Sequence, residues 1–356
     1  AGGDHELAGG GDVVAAGAVA AGAADVDGAV RPLDGGHLGA HDRGGPGDFL
    51  HRLAAHAQGH EETAHLRRRR IAGHHDVEGL LGLAFAPDFQ ETGRYYVNFT
   101  DKDSHTRIVR FVSNDRGTTD PSSGEILLRF KQPWNNHNGG WIEFGPDGML
   151  YITAGERQKQ EPAQDFGQAL GKIVRLHDDG RMPADNPWQE KGALAKSFWS
   201  MGHRNLLGIA FDADGRLWAH EMGPRHGDEL NLIVPGGNYG WPVVSNGNHY
   251  SGARIPDHAT RPDFNPPKAF WVPAISPAGL AIYSGDVFPA WKGDAFIGGL
   301  SSRALVRVDL QGNRAREAER FEWGARIREV EQGPDGALWV LEDRSGGRLL
   351  KLTPGG

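Results

Sequence analysis

Short apolar runs alternate with turn residues along most of the chain, and one phrase recurs. An apolar stretch ends, an Asp-containing turn follows, and an apolar-aromatic stretch returns. The phrase reads Phe85-Ala86-Pro87-Asp88 before Tyr95-Tyr96-Val97, then Phe144-Gly145-Pro146-Asp147-Gly148 before Leu150-Tyr151-Ile152. It returns as Phe211-Asp212-Ala213-Asp214-Gly215 before Leu217-Trp218, and as Gly333-Pro334-Asp335-Gly336 before Leu338-Trp339-Val340. Each copy predicts a β-hairpin, because Asp-Gly turns the chain tightly between two strands. The first three copies stand 59 and 67 residues apart, and the last follows 122 residues later, close to two periods. A weaker unit, from Ala281-Ile282-Tyr283 to Ala295-Phe296-Ile297, fills that gap. Hairpins at a period near 60, with no helical pattern, predict radial repetition. The expected fold is all-β: a six-bladed β-propeller of four-stranded antiparallel blades, spanning 1–356 as a single domain.

Composition changes this picture in one place. Residues 1–76 contain no Ser, Lys, Asn, Trp, Tyr or Met, carry 9 of the 17 histidines, and include the run Arg67-Arg68-Arg69-Arg70. Such a segment cannot supply an ordinary blade, and taken as it stands it reads as a low-complexity extension. The repeat needs a blade there, however. We therefore expect a GC-rich reading frame shifted until about Glu78, which peptide sequencing matching 1–76 as written would refute. Elsewhere, 53 glycines and 21 prolines suit many tight turns. A net charge of −8 disfavours nucleic acid as a partner. No apolar run is long enough to span a membrane. With no cysteine, disulfides and thiolate metal sites are excluded.

Two turns carry candidate chemistry. Asn136-His137-Asn138-Gly139-Gly140 offers a histidine base in a glycine-flanked turn, and Gly202-His203-Arg204-Asn205 offers a fixed cation. A base and a cation together suit removal of a proton from an alcohol while a hydride leaves for an oxidised cofactor. His203 and His220 read as structural. His220-Glu221 lacks a third ligand for zinc. Trp134, Trp141, Trp199 and Trp241 read as core or channel wall, with one or two available to line a sugar site.

From about Glu78 onward the chain resembles the soluble PQQ-dependent aldose sugar dehydrogenases, the glucose/sorbosone dehydrogenase family. The resemblance rests on an ordered set of motifs. Beside the two turns above it includes Gly79-Leu80-Leu81-Gly82, Leu170-Gly171-Lys172-Ile173-Val174-Arg175, His220-Glu221-Met222-Gly223-Pro224-Arg225, Gly227-Asp228-Glu229-Leu230-Asn231, Asn238-Tyr239-Gly240-Trp241-Pro242 and Arg326-Ile327-Arg328. It implies a propeller that binds pyrroloquinoline quinone (PQQ) and Ca2+ and oxidises aldoses at C1. On that basis His137 matches the general base, Arg204 the arginine beside the quinone carbonyls, and Asn205 its neighbour. Gly223 and Pro224 match the pair whose backbone carbonyls ligate the cofactor calcium. Arg326 and Arg328 match the pair near the cofactor carboxylates. Glu229 and Tyr239 match positions associated with a second, structural calcium. Family usage of PQQ implies a periplasmic or secreted protein. The chemistry agrees: calcium prefers hard oxygen ligands, and arginine forks suit a tricarboxylate.

The chain also departs from the family pattern. A glutamine expected before Gly-Leu-Leu is replaced by Asp76-Val77-Glu78, and Trp141 follows the histidine turn where many members are basic. A cofactor-contacting lysine is expected where Ser301-Ser302-Arg303 stands, so Arg303 becomes its candidate substitute. Two other functions compete: a calcium-dependent lactone hydrolase on a six-bladed propeller, and a non-enzymatic propeller binding protein or glycan. The residues do not name the sugar, the electron acceptor or the oligomeric state. The segment 246–265 is the expected substrate-setting loop.

Overall fold

The computed structural model describes residues 30–32, 77–113, 119, 121–132 and 136–354. Strand β1 (Val30–Pro32) belongs to the last sheet. The first sheet runs β2 (Val77–Phe85), β3 (Arg94–Asp101), β4 (His105–Val112), β5 (Glu125–Lys131). The second runs β6 (Gly139–Phe144), β7 (Leu150–Ala154), β8 (Lys172–Leu176), β9 (Phe198–Met201). The third runs β10 (Leu206–Phe211), β11 (Leu217–Glu221), β12 (Asp228–Ile233), then β14 (Ala269–Trp271) at its edge; the short β13 (Gly237–Asn238) pairs in parallel with β9. The fourth runs β15 (Pro277–Ile282), β16 (Ala295–Gly299), β17 (Ala304–Gln311), β18 (Arg314–Glu322). The fifth runs β19 (Ile327–Gln332), β20 (Leu338–Glu342), β21 (Leu349–Leu352), and β1 is its outer strand.

This is an all-β propeller of four-stranded antiparallel blades, but the described residues form five blades where the spacing predicts six. The additional blade was expected from residues 1–76, and all of that segment except Val30–Pro32 lies outside the described residues. Those three residues start no blade of their own. They pair with β21, Val30 opposite Leu352. Trp134 also falls outside the described residues.

The recurring phrase forms the hairpin that its residues predict. Gly148, Gly215 and Gly336 all adopt left-handed backbone, with φ of 73°, 77° and 80°. The preceding aspartates accept N–H groups of the turns they open: Asp147 from Met149, Asp212 from Asp214 and Arg216, Asp335 from Ala337. Glycine relieves the strain of positive φ, and the carboxylate satisfies donors that the turn leaves free.

The apolar cores lie between adjacent blades. Tyr96 and Ile108 of the first blade pack with Ile142, Val174 and Phe198 of the second. Trp218 and Leu230 of the third pack with Leu280 and Ile297 of the fourth. Each buried Ile or Leu contributes about 1.5–3 kcal/mol. The first strands β2, β6, β10, β15 and β19 stand side by side in an arc. Their spacing is close enough that a methyl on Gly82 would collide with the carbonyl of Gly140. The segments entering these first strands therefore gather at one end of the arc.

Candidate active site

His137 and Glu156 belong to one hairpin. Gly139 of β6 is paired with Ala154 of β7. Extending that register outward by two residues sets His137 opposite Glu156. His137 has φ of 50°, and a methyl on Gly155 would collide with its carbonyl, so the turn is shaped around the histidine backbone. Nδ1 of His137 lies 2.5 Å from Oε1 of Glu156, whose side chain is fully buried. The other carboxylate oxygen accepts the backbone N–H of Gln160 at 2.6 Å. An ionised carboxylate only accepts, so Nδ1 carries a proton, and a neutral ring then has its lone pair at Nε2. The histidine side chain is 12% exposed, with limited access to solvent.

Arg204 enters from the next blade. The Glu156 N–H donates to the Arg204 carbonyl at 2.9 Å, and the Gly139 N–H donates to Oδ1 of Asn205 at 3.2 Å. These bonds join the histidine turn to the arginine turn across the blade seam. The Arg204 N–H is held in turn by Glu221 at 2.6 Å. Its guanidinium donates from Nη1 to the carbonyls of Met222 and Gly223, at 3.0 and 2.7 Å, and from Nη2 to the Tyr250 hydroxyl at 3.2 Å. It lies 5.4 Å from the Trp241 ring and 5.9 Å from the Tyr250 ring. Its Nε is buried and has no hydrogen-bond partner. A buried donor left open is costly unless an oxygen reaches it.

Arg204, Gly223, Pro224, Glu229 and Tyr239 line one cleft. The Gly223 N–H donates to Asp228, which also accepts from the Ser276 N–H, tying this turn to the fourth blade. Burial pushes the Asp228 carboxyl above its ordinary value, against the pull of those N–H donors. Calcium at Gly223 and Pro224 would rest on backbone oxygens, which suit it. Two of the carbonyls in this turn, Met222 and Gly223, already face a cation, the Arg204 guanidinium. Among the described residues, no three His, Asp or Glu side chains cluster as a metal site.

The side chains of Glu229 and Tyr239 are engaged within the fold. Glu229 accepts from Asn231 and pairs with His258 at 3.1 Å. Burial pushes its carboxyl up, and the His258 hydrogen bond pulls against that rise. The Tyr239 hydroxyl donates to the Leu232 carbonyl and accepts from the Val234 N–H. A second calcium here would draw on the backbone carbonyls of these residues. His203 bridges Glu221 and Ser200 and stacks on Tyr239, a structural role. His220 is likewise buried, with Nε2 on the Gly279 carbonyl, and burial pushes its pKa down to about 4. Of the tryptophans, Trp141 and Trp199 pack in the core between the second and third blades.

Arg326 and Arg328 stand on the fifth blade. Both donate to Oδ2 of Asp343, which holds them together where the β19 register shifts between Ile327 and Glu329. Burial would raise the Asp343 carboxyl, but the two arginines outweigh it and hold it below its ordinary value. The Nε of Arg328 is buried without a partner. Arg303 is exposed in the turn leading into β17, with φ of 52°, and its carbonyl accepts from Trp323 and Gly324.

Sequence reasoning missed Glu156 and Tyr250. The signal for Glu156 is the hairpin register, which pairs 137 with 156 once one cross-strand pair is known. Tyr250 carries no such signal, because a loop places it.

A histidine–carboxylate pair whose turn is bonded to that of a buried arginine, at the end of a propeller, is the arrangement of a candidate active site. The family model for glucose / sorbosone dehydrogenase matches residues 55–351, and the chain belongs to this family of oxidoreductases. The aldose sugar dehydrogenase YliI of Escherichia coli is 36% identical over 290 residues, covering 79% of this chain and 78% of that protein. The apo crystal structure of the soluble aldose sugar dehydrogenase from Escherichia coli superposes with a TM-score of 0.71 at 34% identity, covering 78% and 83% of the two chains. The PQQ-bound aldose sugar dehydrogenase of Streptomyces coelicolor superposes with a TM-score of 0.64 at 32% identity, covering 80% and 81%. Among the described residues, no helix is long and apolar enough to cross a membrane.

Proposed function

We propose that the chain oxidises aldose sugars at C1 to the lactone, using PQQ and calcium, with His137 as the general base. The observation that carries this reading is the His137–Glu156 pair, joined by hydrogen bonds to the Arg204 turn. In this reading Nε2 takes the C1 hydroxyl proton, and Glu156 stabilises the imidazolium that results. Arg204 supplies fixed positive charge where negative charge develops. When bound, PQQ accepts the hydride and calcium polarises its oxygens.

The residues present suit that cofactor. Open buried donors at Nε of Arg204 and of Arg328 await oxygen acceptors, which an anionic quinone has in quantity. Arg204, Asn205, Arg326 and Arg328 would hold it, with Arg303 as a further candidate, and the Gly223 and Pro224 carbonyls would hold calcium. Glu229 and Tyr239 remain our candidates for a second calcium, through their backbone oxygens. The test is reconstitution: PQQ and calcium are added to the purified chain, and dye reduction by aldoses is followed. We expect PQQ- and calcium-dependent reduction in the wild type and its loss in His137→Ala. Undiminished turnover in His137→Ala would refute the assignment of the base.

A further inference from the structure

We propose that Tyr250 is the platform on which the pyranose ring of the substrate stacks. This inference rests on the proposed sugar oxidation and names a residue that sets its substrate. Tyr250 is 68% exposed, unusual for a tyrosine held at a site. Its hydroxyl accepts a hydrogen bond from Arg204 at 3.2 Å, and its ring stands 5.9 Å from that guanidinium. Trp241 lies 5.4 Å from the same guanidinium and is buried. Of the two rings that flank the arginine, Tyr250 is therefore the one open to a ligand.

The loop bearing it is fixed. Asn248 bridges to Arg225 and to Arg254, the Gly252 N–H donates to the His249 carbonyl at 2.8 Å, and the His249 N–H to the Ala253 carbonyl at 2.9 Å. Gly247 sits so close to the carbonyl of His226 that a methyl there would collide with it. The loop of the tyrosine is thus docked on the turn that presents the Gly223 carbonyl, beside the arginine whose own carbonyl is tied to Glu156. An aromatic face held beside Arg204 suits the C–H face of a pyranose, and a fixed ring loses little entropy on binding.

The test uses an aldohexose and its 1,5-anhydrohexitol, which lacks the C1 hydroxyl and binds without turnover. Calorimetry on the PQQ- and calcium-loaded protein measures anhydrohexitol affinity in wild type, Tyr250→Ala and Tyr250→Phe; absorbance titration measures PQQ affinity in each. We expect Tyr250→Ala to weaken anhydrohexitol binding about tenfold. KM for the aldose should rise by a similar factor, and Tyr250→Phe should recover most of the loss. Several results would overturn the proposal: wild-type sugar affinity in Tyr250→Ala, an equal loss in Tyr250→Phe, or a fall in PQQ affinity without a fall in sugar affinity. Absence of anhydrohexitol binding in the wild type would also overturn it. Binding that needs Tyr250, in a protein that shows no PQQ-dependent turnover, would instead refute the proposed reaction alone.

Discussion

Replacing Glu156 with glutamine isolates the orientation of the base. The two oxygens of Glu156 have different tasks: one receives Nδ1 of His137 at 2.5 Å, the other the Gln160 N–H at 2.6 Å. Glutamine keeps one oxygen and gains an NH2 group. The Gln160 N–H demands the oxygen, so the NH2 is turned toward Nδ1. Nδ1 must then accept, which moves the ring proton to Nε2 and removes the lone pair that would take the hydroxyl proton. A hydrogen bond to a charged group contributes about 1.5–3 kcal/mol, so its loss from the charged imidazolium lowers kcat by about 10–100-fold. His137→Ala, which removes the base, should cost about 10²–10⁴-fold. KM for sugar should change little, because the interaction strengthens only as the proton moves. Steady-state dye reduction on the PQQ-loaded protein measures all of these, with thermal melts confirming that the variant folds. The double variant should be no slower than His137→Ala alone, since Glu156 acts through the histidine. A Glu156→Gln enzyme with more than half of wild-type kcat, or additive losses in the double variant, would refute this reasoning.

Two further predictions concern stability. The Lys172 ammonium is fully buried and donates to the carbonyls of Pro162, Ala163 and Leu170 at 2.7–3.1 Å. Lys172→Met strands these acceptors and should cost at least about 3 kcal/mol, a fall in Tm of roughly 4 °C for a chain of this size; a calorimetric Tm within about 1 °C of wild type would contradict it. Glu329 is buried on β19, and burial, with Glu331 adding to it, pushes its carboxyl well above the ordinary 4.5. The folded state keeps a proton that the unfolded chain has lost, so the stability it contributes is full below pH 4.5 and declines as pH rises toward the folded value. Glu329→Gln should therefore gain on the wild type in urea denaturation between pH 5 and pH 8, and a difference that does not grow with pH would exclude this origin.

The hairpins were legible because their determinants are local. Asp147-Gly148, Asp212 with Gly215, and Asp335-Gly336 carry turn chemistry that needs no distant partner. The number of blades was not, because spacing counts repeats only where the repeat is written, and residues 1–76 do not carry it. The same divide runs through the site. His137 and Arg204 stood out as a base and a cation in glycine-rich turns. Glu156 did not, since an acidic residue after a strand looks ordinary until the β6–β7 register sets it opposite the histidine. Tyr250 needed more still: its place beside Arg204 follows from the loop that seats Gly247 on the His226 carbonyl, a contact between turns with no period to reveal it. The engagement of Glu229 by His258 and Asn231 was equally invisible, because it joins one strand to a loop 29 residues on.

His137 and Glu156 sit on one hairpin, whereas Arg204 arrives from the neighbouring blade. The proton-handling pair therefore moves as a single body, and thermal breathing between the two blades leaves its geometry intact. The alignment of that pair with the Arg204 charge depends on the seam, through the Glu156 N–H on the Arg204 carbonyl and the Gly139 N–H on Asn205. On warming, such a site should lose the alignment of its two halves before either half unfolds. Inactivation should then begin as a loosening that added ligand reverses, well before the propeller itself unfolds.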